Sequence, residues 1–270
     1  MPQTKTVAHP VLPWSITFTE EDHSYIDIDG SAYASGTGLV SVFFPQFDTD
    51  YHAARIATRD GTTPDQVKAA WEQKAKAACD YGTRVHEHAE NLILGRSTAT
   101  PATEKERIAF EAVDKALVGI RQHFDIIGCE QIIFAPCLHL AGTIDLPVRH
   151  KRTGRLGILD WKTNEGLDLS PRFNQTGLPP IRHIGDCNGN HYRLQFAVYA
   201  QIMRIGQYVA LDEPFDNAVI YIPPMSPNPA WVPMQDAQQE ANDMIVAWES
   251  AYFAQDLSAP EFIEKTRKAA

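Results

Sequence analysis

The chain has 270 residues, 44% of them hydrophobic, and a formal net charge of −10 at pH 7. That size and apolar content allow a sizeable buried core and exclude a disordered chain, and no run approaches the roughly 18 apolar residues of a membrane helix. The acidic balance excludes a broad nonspecific basic surface for nucleic acid but not a local basic groove, because phosphate contacts depend on where Lys and Arg cluster.

Residues 1–14 (MPQTKTVAHPVLPW) lack the continuous apolar segment of a signal peptide, so they read as a flexible N-terminus, with 15–270 as one domain and the chain as cytoplasmic. Cys79, Cys129, Cys137 and Cys187 contain no C-x-x-C pair and read as buried thiols. Residues 16–35 predict a β-hairpin, with Tyr25, Ile26 and Ile28 before Asp29-Gly30 and Tyr33 after it; His23 is read as solvated or structural. At 36–47 a small-residue turn leads into LVSVFF, a short helix or strand ending at Pro45.

A helix is predicted over 64–79, with Thr63 as N-cap, Pro64 in first position and Gln66 completing a capping box. Val67, Ala70, Trp71, Lys74 and Ala78 form its stripe, which makes Trp71 a core residue. A second helix opens at 81–83 with Thr83 as cap. It carries His86 and Glu90 one turn apart, beside the apolar Val85, Ala89, Leu92 and Ile93. Such a pair is ordinarily just polar, and HEHAE falls short of the H-E-x-x-H zinc pattern. Residues 101–124 form a longer amphipathic helix, with Ile108, Ala109, Val113, Ala116, Leu117, Ile120 and Phe124 on its buried side. Residues 129–137 are a strand leading into the next hairpin, which gives a three-strand meander.

That hairpin, 142–163, has two apolar arms around Lys151-Arg152-Thr153-Gly154. A turn of two or four residues sets Asp145 directly opposite Asp160, with Cβ atoms about 5 Å apart, and Lys162 shares that face by the two-residue period. Two carboxylates that close repel one another, and a divalent cation relieves the repulsion; an ordinary solvated ion pair is the bland alternative. Residues 164–190 lack periodicity and exceed the roughly 15 residues of a passive loop, so they read as a flap over this face, where Arg172, Arg182 and His183 could meet phosphates. A helix over 191–205 sets Gln195 and Tyr199 one turn apart beside the stripe Leu194, Val198, Ile202 and Ile205. A strand at 217–222, an extended connection at 223–233 and a closing helix at 234–253 with Ile245, Trp248 and Tyr252 complete the chain, with no internal repeat.

GTRVH with Glu90, then GTID, then LDWKT, then Gln195 and Tyr199 occur in one order. That order, over roughly 25–199, closely resembles the PD-(D/E)XK nuclease superfamily, and within it the RecB-like exonucleases, including small phage-type and mitochondrial genome-maintenance forms. The resemblance implies an α/β restriction-endonuclease-like core over about 80–222, a mixed central sheet flanked by helices, with an N-terminal hairpin and a C-terminal helix. It implies that His86, Asp145 and Asp160 ligate the metal with the backbone carbonyl of Trp161, and that Lys162 is the catalytic lysine. Glu90 would support His86 or a metal-bound water; Gln195 and Tyr199 would order the site and contact nucleic acid; Arg84, Thr163, Arg172, Arg182 and Arg193 are further candidates for that contact. Ile144 stands where the family name has proline, a departure common in this branch. Nothing beyond Cys187 is cysteine, so no iron-sulfur cluster is expected.

Phosphodiester hydrolysis needs an activated water and compensation for charge on the phosphoryl oxygens, which one or two hard cations supply. Two carboxylates and a carbonyl suit Mg²⁺ or Mn²⁺, and the imidazole favours Mn²⁺. The expectation is a metal-dependent DNA exonuclease of recombination, repair or phage DNA processing, in a bacterial or phage-infected cell. A structure-specific or restriction-type endonuclease and an inactive nucleic-acid-binding scaffold are the rivals. G-x-x-x-x-G-K-[ST] occurs nowhere, so unwinding falls to a partner helicase, beside a recombinase or single-strand-binding protein as further partners.

Overall fold

The computed structural model describes residues 4–171 and 174–254. Short strands rich in Thr, Ile, Tyr and Val open the fold: β1 (Thr4–Ala8), β2 (Ser15–Thr19), β3 (Ser24–Asp27) and β4 (Ala32–Ser35) form an antiparallel ladder. The expected hairpin is therefore the second half of a four-strand unit, and residues 4–8 of the supposed flexible terminus are its outer strand. Ile28 is 77% exposed in the turn, where the Asp27 carboxylate accepts from the Asp29 and Ser31 amides.

Ser35 caps α1 (Gly36–Val42), and Asp48 caps α2 (Thr49–Asp60), which ends at Gly61 with φ 65°. The sequence reading passed over α2 because its buried face is mostly alanine (Ala53, Ala57), too small to stand out as a stripe. The Thr63–Gln66 capping box forms as expected, but the helix it starts, α3 (Pro64–Ile93), runs unbroken for 30 residues. Thr83 lies inside this helix and caps nothing. A mid-helix glycine costs about 1 kcal/mol relative to alanine; α3 carries Gly82 where it passes close to Thr163, whose hydroxyl lies 3.4 Å from where a Cβ would stand. Ala70, Lys74 and Ala78 are exposed; only Val67 and the half-buried Trp71 of the predicted stripe pack, against α2.

Thr103 caps α4 (Glu104–His123), and Phe124 leaves the helix to begin β5 (Phe124–Ile126). There follow β6 (Gln131–Ala135), a 3-10 turn, β7 (Leu140–Ile144), β8 (Leu146–His150), β9 (Leu156–Lys162), α5 (Asn188–Ile205), β10 (Ala218–Tyr221), β11 (Ala230–Pro233) and α6 (Gln238–Ala254). β11 lies within the segment read as an extended connection and pairs antiparallel with β10. The side chain of Tyr252 lies outside the described residues. Cys79 and Cys137 are exposed and Cys129 half-buried, so only Cys187 is the buried thiol that all four were expected to be.

The strands make two mixed sheets in an α/β fold, ordered β1-β2-β3-β4-β7-β6 and β11-β10-β9-β8-β5, with parallel pairs at β4·β7 and β9·β10. The expected continuous meander instead changes sheet at Asp145. The Asp145 carbonyl accepts from the Glu130 amide on the β6 side, while its carboxylate accepts from the Trp161 amide at 3.0 Å on the β9 side. One residue thus satisfies the backbone across the seam, where leaving polar groups unpaired would be costly.

One core, including Ile158, Val198, Val219 and Trp248, lies between the sheets and α1, α5 and α6. A second, including Val85, Phe110, Leu159 and Trp161, lies under α3 and α4. Among the described residues no helix is long and apolar enough to cross a membrane. Tyr199 wedges its ring against two glycines: a Cβ on Gly142 would stand 2.5 Å from the ring and one on Gly36 2.6 Å. Gly142→Ala should therefore destabilise the fold by about 1–3 kcal/mol through overpacking. Gly82→Ala, which meets only ordinary contact, should be neutral or stabilising. Urea unfolding of the two variants beside the wild type measures the difference.

Candidate metal centre

Registers decide which side chains converge. β8 pairs with β9 from Leu146 with Leu159 onward, and Asp145, expected opposite Asp160, stands in the bend just before that ladder; among charged neighbours it acts most strongly on Asp160. β6 pairs with β7 as Gln131 with Ile144, and one residue further Glu130 faces Asp145. Three carboxylates therefore lie in one row across the seam between the sheets. Glu130 was missed by the sequence reading, although the same register argument applied to the preceding strand finds it. Its φ of 45° turns the chain into β6 at this point.

His86 reaches the row from α3. Its Nε2 lies 3.0 Å from the Trp161 carbonyl and its Nδ1 3.4 Å from Asp145 Oδ2. A carbonyl only accepts, so Nε2 donates to Trp161 and the ring is turned with Nδ1 toward Asp145. The Trp161 carbonyl, expected to be a ligand, accepts here from His86 and so orients that ring. His86, Glu130 and Asp145 each offer a ligand atom within 4.8 Å of the other two. Asp160 falls outside that set, and its Oδ2 is paired with Lys162 Nζ at 2.5 Å.

The electrostatics follow from burial among like charges. Glu130 is pushed up to about 9 by burial and then by Asp145, Glu90 and Asp160. Asp160 is pushed up to about 6, again by burial first and Asp145 second, with Lys162 opposing. Burial would lower Lys162, but Asp160 and Asp145 outweigh it and hold the ammonium above its ordinary value, with Nζ 4.8 Å from the centre of the Tyr192 ring.

The other predicted residues divide. Gln195 donates to the Tyr199 hydroxyl at 3.2 Å, but both are buried, so they brace the seam from α5 instead of contacting nucleic acid. Glu90 lies one turn beyond His86, contributes charge to Glu130 and pairs with Arg96 at 3.4 Å. Thr163 is half-buried beside Gly82. Arg84 forms a two-pronged pair with the buried Glu106, and Arg193 pairs with Glu240 of α6 at 3.2 Å, so neither faces a ligand. Arg182 is exposed, and Arg172 lies outside the described residues. The supposed flap is pinned: Ile181 and Ile184 enter the core, the Leu178 amide donates to the Phe43 carbonyl, and the Tyr192 and Tyr221 hydroxyls donate to Asn164. Individual buried side chains hold it, which is why it has no period.

The donor set of one imidazole nitrogen and two carboxylates fits a hard or borderline divalent cation, and the raised carboxyl groups are those such a charge relieves. No protein-family model matches the chain, and a search of curated proteins finds no match.

A carboxyl group raised by folding binds its proton more tightly in the native state, so its stabilisation is complete below the unfolded value near 4 and is lost as pH rises through the folded value. In chelator, thermal stability should therefore fall as pH climbs through about 6 for Asp160 and about 9 for Glu130. Glu130→Gln should flatten the upper part of that decline. At pH 8, Mn²⁺ or Mg²⁺ should raise the midpoint of the wild type and do so much less for His86→Ala, as read by thermal unfolding with and without metal.

Proposed function

We propose that this chain is a metal-dependent nuclease of the PD-(D/E)XK superfamily, RecB-like branch, that hydrolyses phosphodiester bonds in DNA, acting from strand ends as an exonuclease. The observation that carries the reading is the meeting of His86, Glu130, Asp145, Asp160 and Lys162 at one sheet seam, with Gln195 and Tyr199 packed behind them. The mixed sheet containing the β8–β9 hairpin, with helices on its faces, is read as the restriction-endonuclease-like core of that superfamily.

In this reading His86 Nδ1, Glu130 and Asp145 hold Mg²⁺ or Mn²⁺, and Asp160 joins them where Lys162 turns toward substrate. A cation there supplies Lewis acidity to the phosphodiester and to the attacking water. The chain's own residues do the rest. Lys162, kept as an ammonium by Asp160 and Asp145, donates to a nonbridging phosphoryl oxygen and stabilises charge as it develops. A group that stays protonated is a poor general base, so its role is electrostatic and orienting. The Trp161 carbonyl holds the His86 ring with Nδ1 toward the acids, and the Tyr192 ring flanks Lys162 Nζ. Side-chain exposures of 30% for His86 and 19% for Lys162, against 5% for Asp160, make the histidine and the lysine the approach side for a strand. A recombination, repair or phage DNA-processing role, with unwinding supplied by a separate helicase, belongs to the same proposal.

Lys162→Ala should lower Mg²⁺- or Mn²⁺-dependent cleavage of linear DNA by about 10³-fold while leaving DNA affinity within a few-fold. Unchanged cleavage refutes the site. Digestion of a covalently closed circle at the rate of its linear form refutes the exonuclease assignment and favours an endonuclease on the same fold.

A further inference from the structure

The helical pair α2 and α3 carries a feature that the metal centre does not use. Ala53, Ala57 and Val67 form its small buried core, backed by Ile56 and Trp71. Larger aromatic rings stay outside that core: Phe47 is 62% exposed and Tyr51 58%. They are not scattered. The Phe47 ring stacks on His52 at 4.5 Å and 9° between planes, stands edge-on to Trp71 at 5.8 Å, and His52 meets Tyr51 at 5.1 Å. The rings run as one open row, Trp71, Phe47, His52, Tyr51. Exposed apolar rings in contact with one another cost hydration that a chain could avoid by burying or replacing them, and contiguous exposed apolar groups mark binding surfaces.

A chain of contacts links the row to the proposed nuclease site, about 20 Å away along α3 from Trp71 to His86. Lys162 Nζ lies under the Tyr192 ring, and the adjacent His191 stacks at 4.0 Å on Phe44, three residues before Phe47. From the other side, Lys74, one turn beyond Trp71, pairs at 3.0 Å with Glu165, three residues beyond Lys162. Arg55, one turn from Tyr51 on the solvent face of α2, is exposed and makes no ion pair among the described residues. Flat rings with a free guanidinium beside them combine the two contacts an unpaired strand offers: base faces to stack and phosphates to neutralise. A base-paired duplex keeps its base faces inside the helix and gains nothing from such a row.

We propose that Phe47, His52 and Tyr51, walled by Trp71 and flanked by Arg55, form a stacking subsite for the unpaired bases of a DNA strand feeding the metal centre, so that the substrate is single-stranded DNA or a single-stranded tail. The inference rests on the nuclease reading for its ligand. Stacking tolerates any base, so the subsite selects for unpaired character and not for sequence.

The test measures binding in chelator, without turnover, by fluorescence anisotropy with a labelled oligothymidylate of about 12 nucleotides and with an abasic strand of equal length and charge. Tyr51→Ala and Phe47→Ala should each weaken oligothymidylate binding about tenfold and the abasic strand little. Tyr51→Phe and Phe47→Tyr, which keep the ring, should retain wild-type affinity. Circular dichroism of the variants confirms that the helical pair is intact. Equal losses on both strands, losses that the ring-retaining variants also suffer, or no loss at all overturn the stacking subsite while leaving the cleavage result for Lys162 standing. A wild type that binds neither strand overturns both proposals.

Discussion

Three carboxylates held in one row across the join of two sheets are the constraint around which the fold is arranged. Glu130, Asp145 and Asp160 come together where the ladders of β6 with β7 and of β8 with β9 end: the Glu130 amide donates to the Asp145 carbonyl, and each of Glu130 and Asp160 is acted on by Asp145. Asp145 cannot be withdrawn from the row. Its carbonyl and its carboxylate each accept a backbone amide, one from each side of the seam. The geometry that joins the sheets is therefore the geometry that crowds the acids. Their mutual repulsion in a poorly solvated place raises the carboxyl groups, so that a held proton or a positive charge must offset it. Lys162 supplies part of that charge to Asp160, and the remaining pair with His86 has the composition of a cation site.

The supports of this row make sense as consequences of it. A seam between sheets needs close backing, and α5 provides it by pressing Tyr199 onto Gly142 and Gly36, where any side chain would collide. Gln195 donates to the Tyr199 hydroxyl, which also bonds Thr37, so the buried phenol is satisfied from two sides. The spacing of a glycine three residues before Asp145, and of a tyrosine four after a glutamine, thus has a packing reason independent of any family. The same holds for the Trp161 carbonyl, which by accepting from His86 decides which ring nitrogen faces the acids.

Much of this was legible in the residues. Alternation and turn chemistry were enough to bring Asp145 and Asp160 together, and helical spacing was enough to aim His86 and Glu90 along one face. What escaped has a physical cause in each case. Glu130 stands one residue outside β6, so it is reached only when the register argument is carried to that strand and past its end. The division of the meander at Asp145 depends on a side chain replacing a backbone acceptor, which no periodicity records. Gly82 looked like a helix boundary because propensity is local, whereas one glycine costs only about 1 kcal/mol and α3 runs through it. Arg84 and Arg193 looked available for phosphates because charge is visible in a sequence and its partner, Glu106 or Glu240, is not.

Pairing of the obvious arginines changes where a nucleic acid could be gripped. With a net charge of −10, and with Arg84 and Arg193 engaged internally, backbone electrostatics alone would hold a strand weakly and lose it quickly with salt. A chain in that position that handles polynucleotide needs a contact that salt does not screen. Stacking on exposed rings is such a contact, and Phe47, His52 and Tyr51 are rings left in the open beside the helix that carries His86. α3 joins the two functions mechanically: its first turns back the aromatic row through Trp71, and its later turns deliver the imidazole to the acid row. On the proposed reading, one continuous helix between a stacking surface and a ligating side chain would fix the distance from stacked bases to the reacting phosphate. That fixed distance is what a nuclease advancing along an unpaired strand requires.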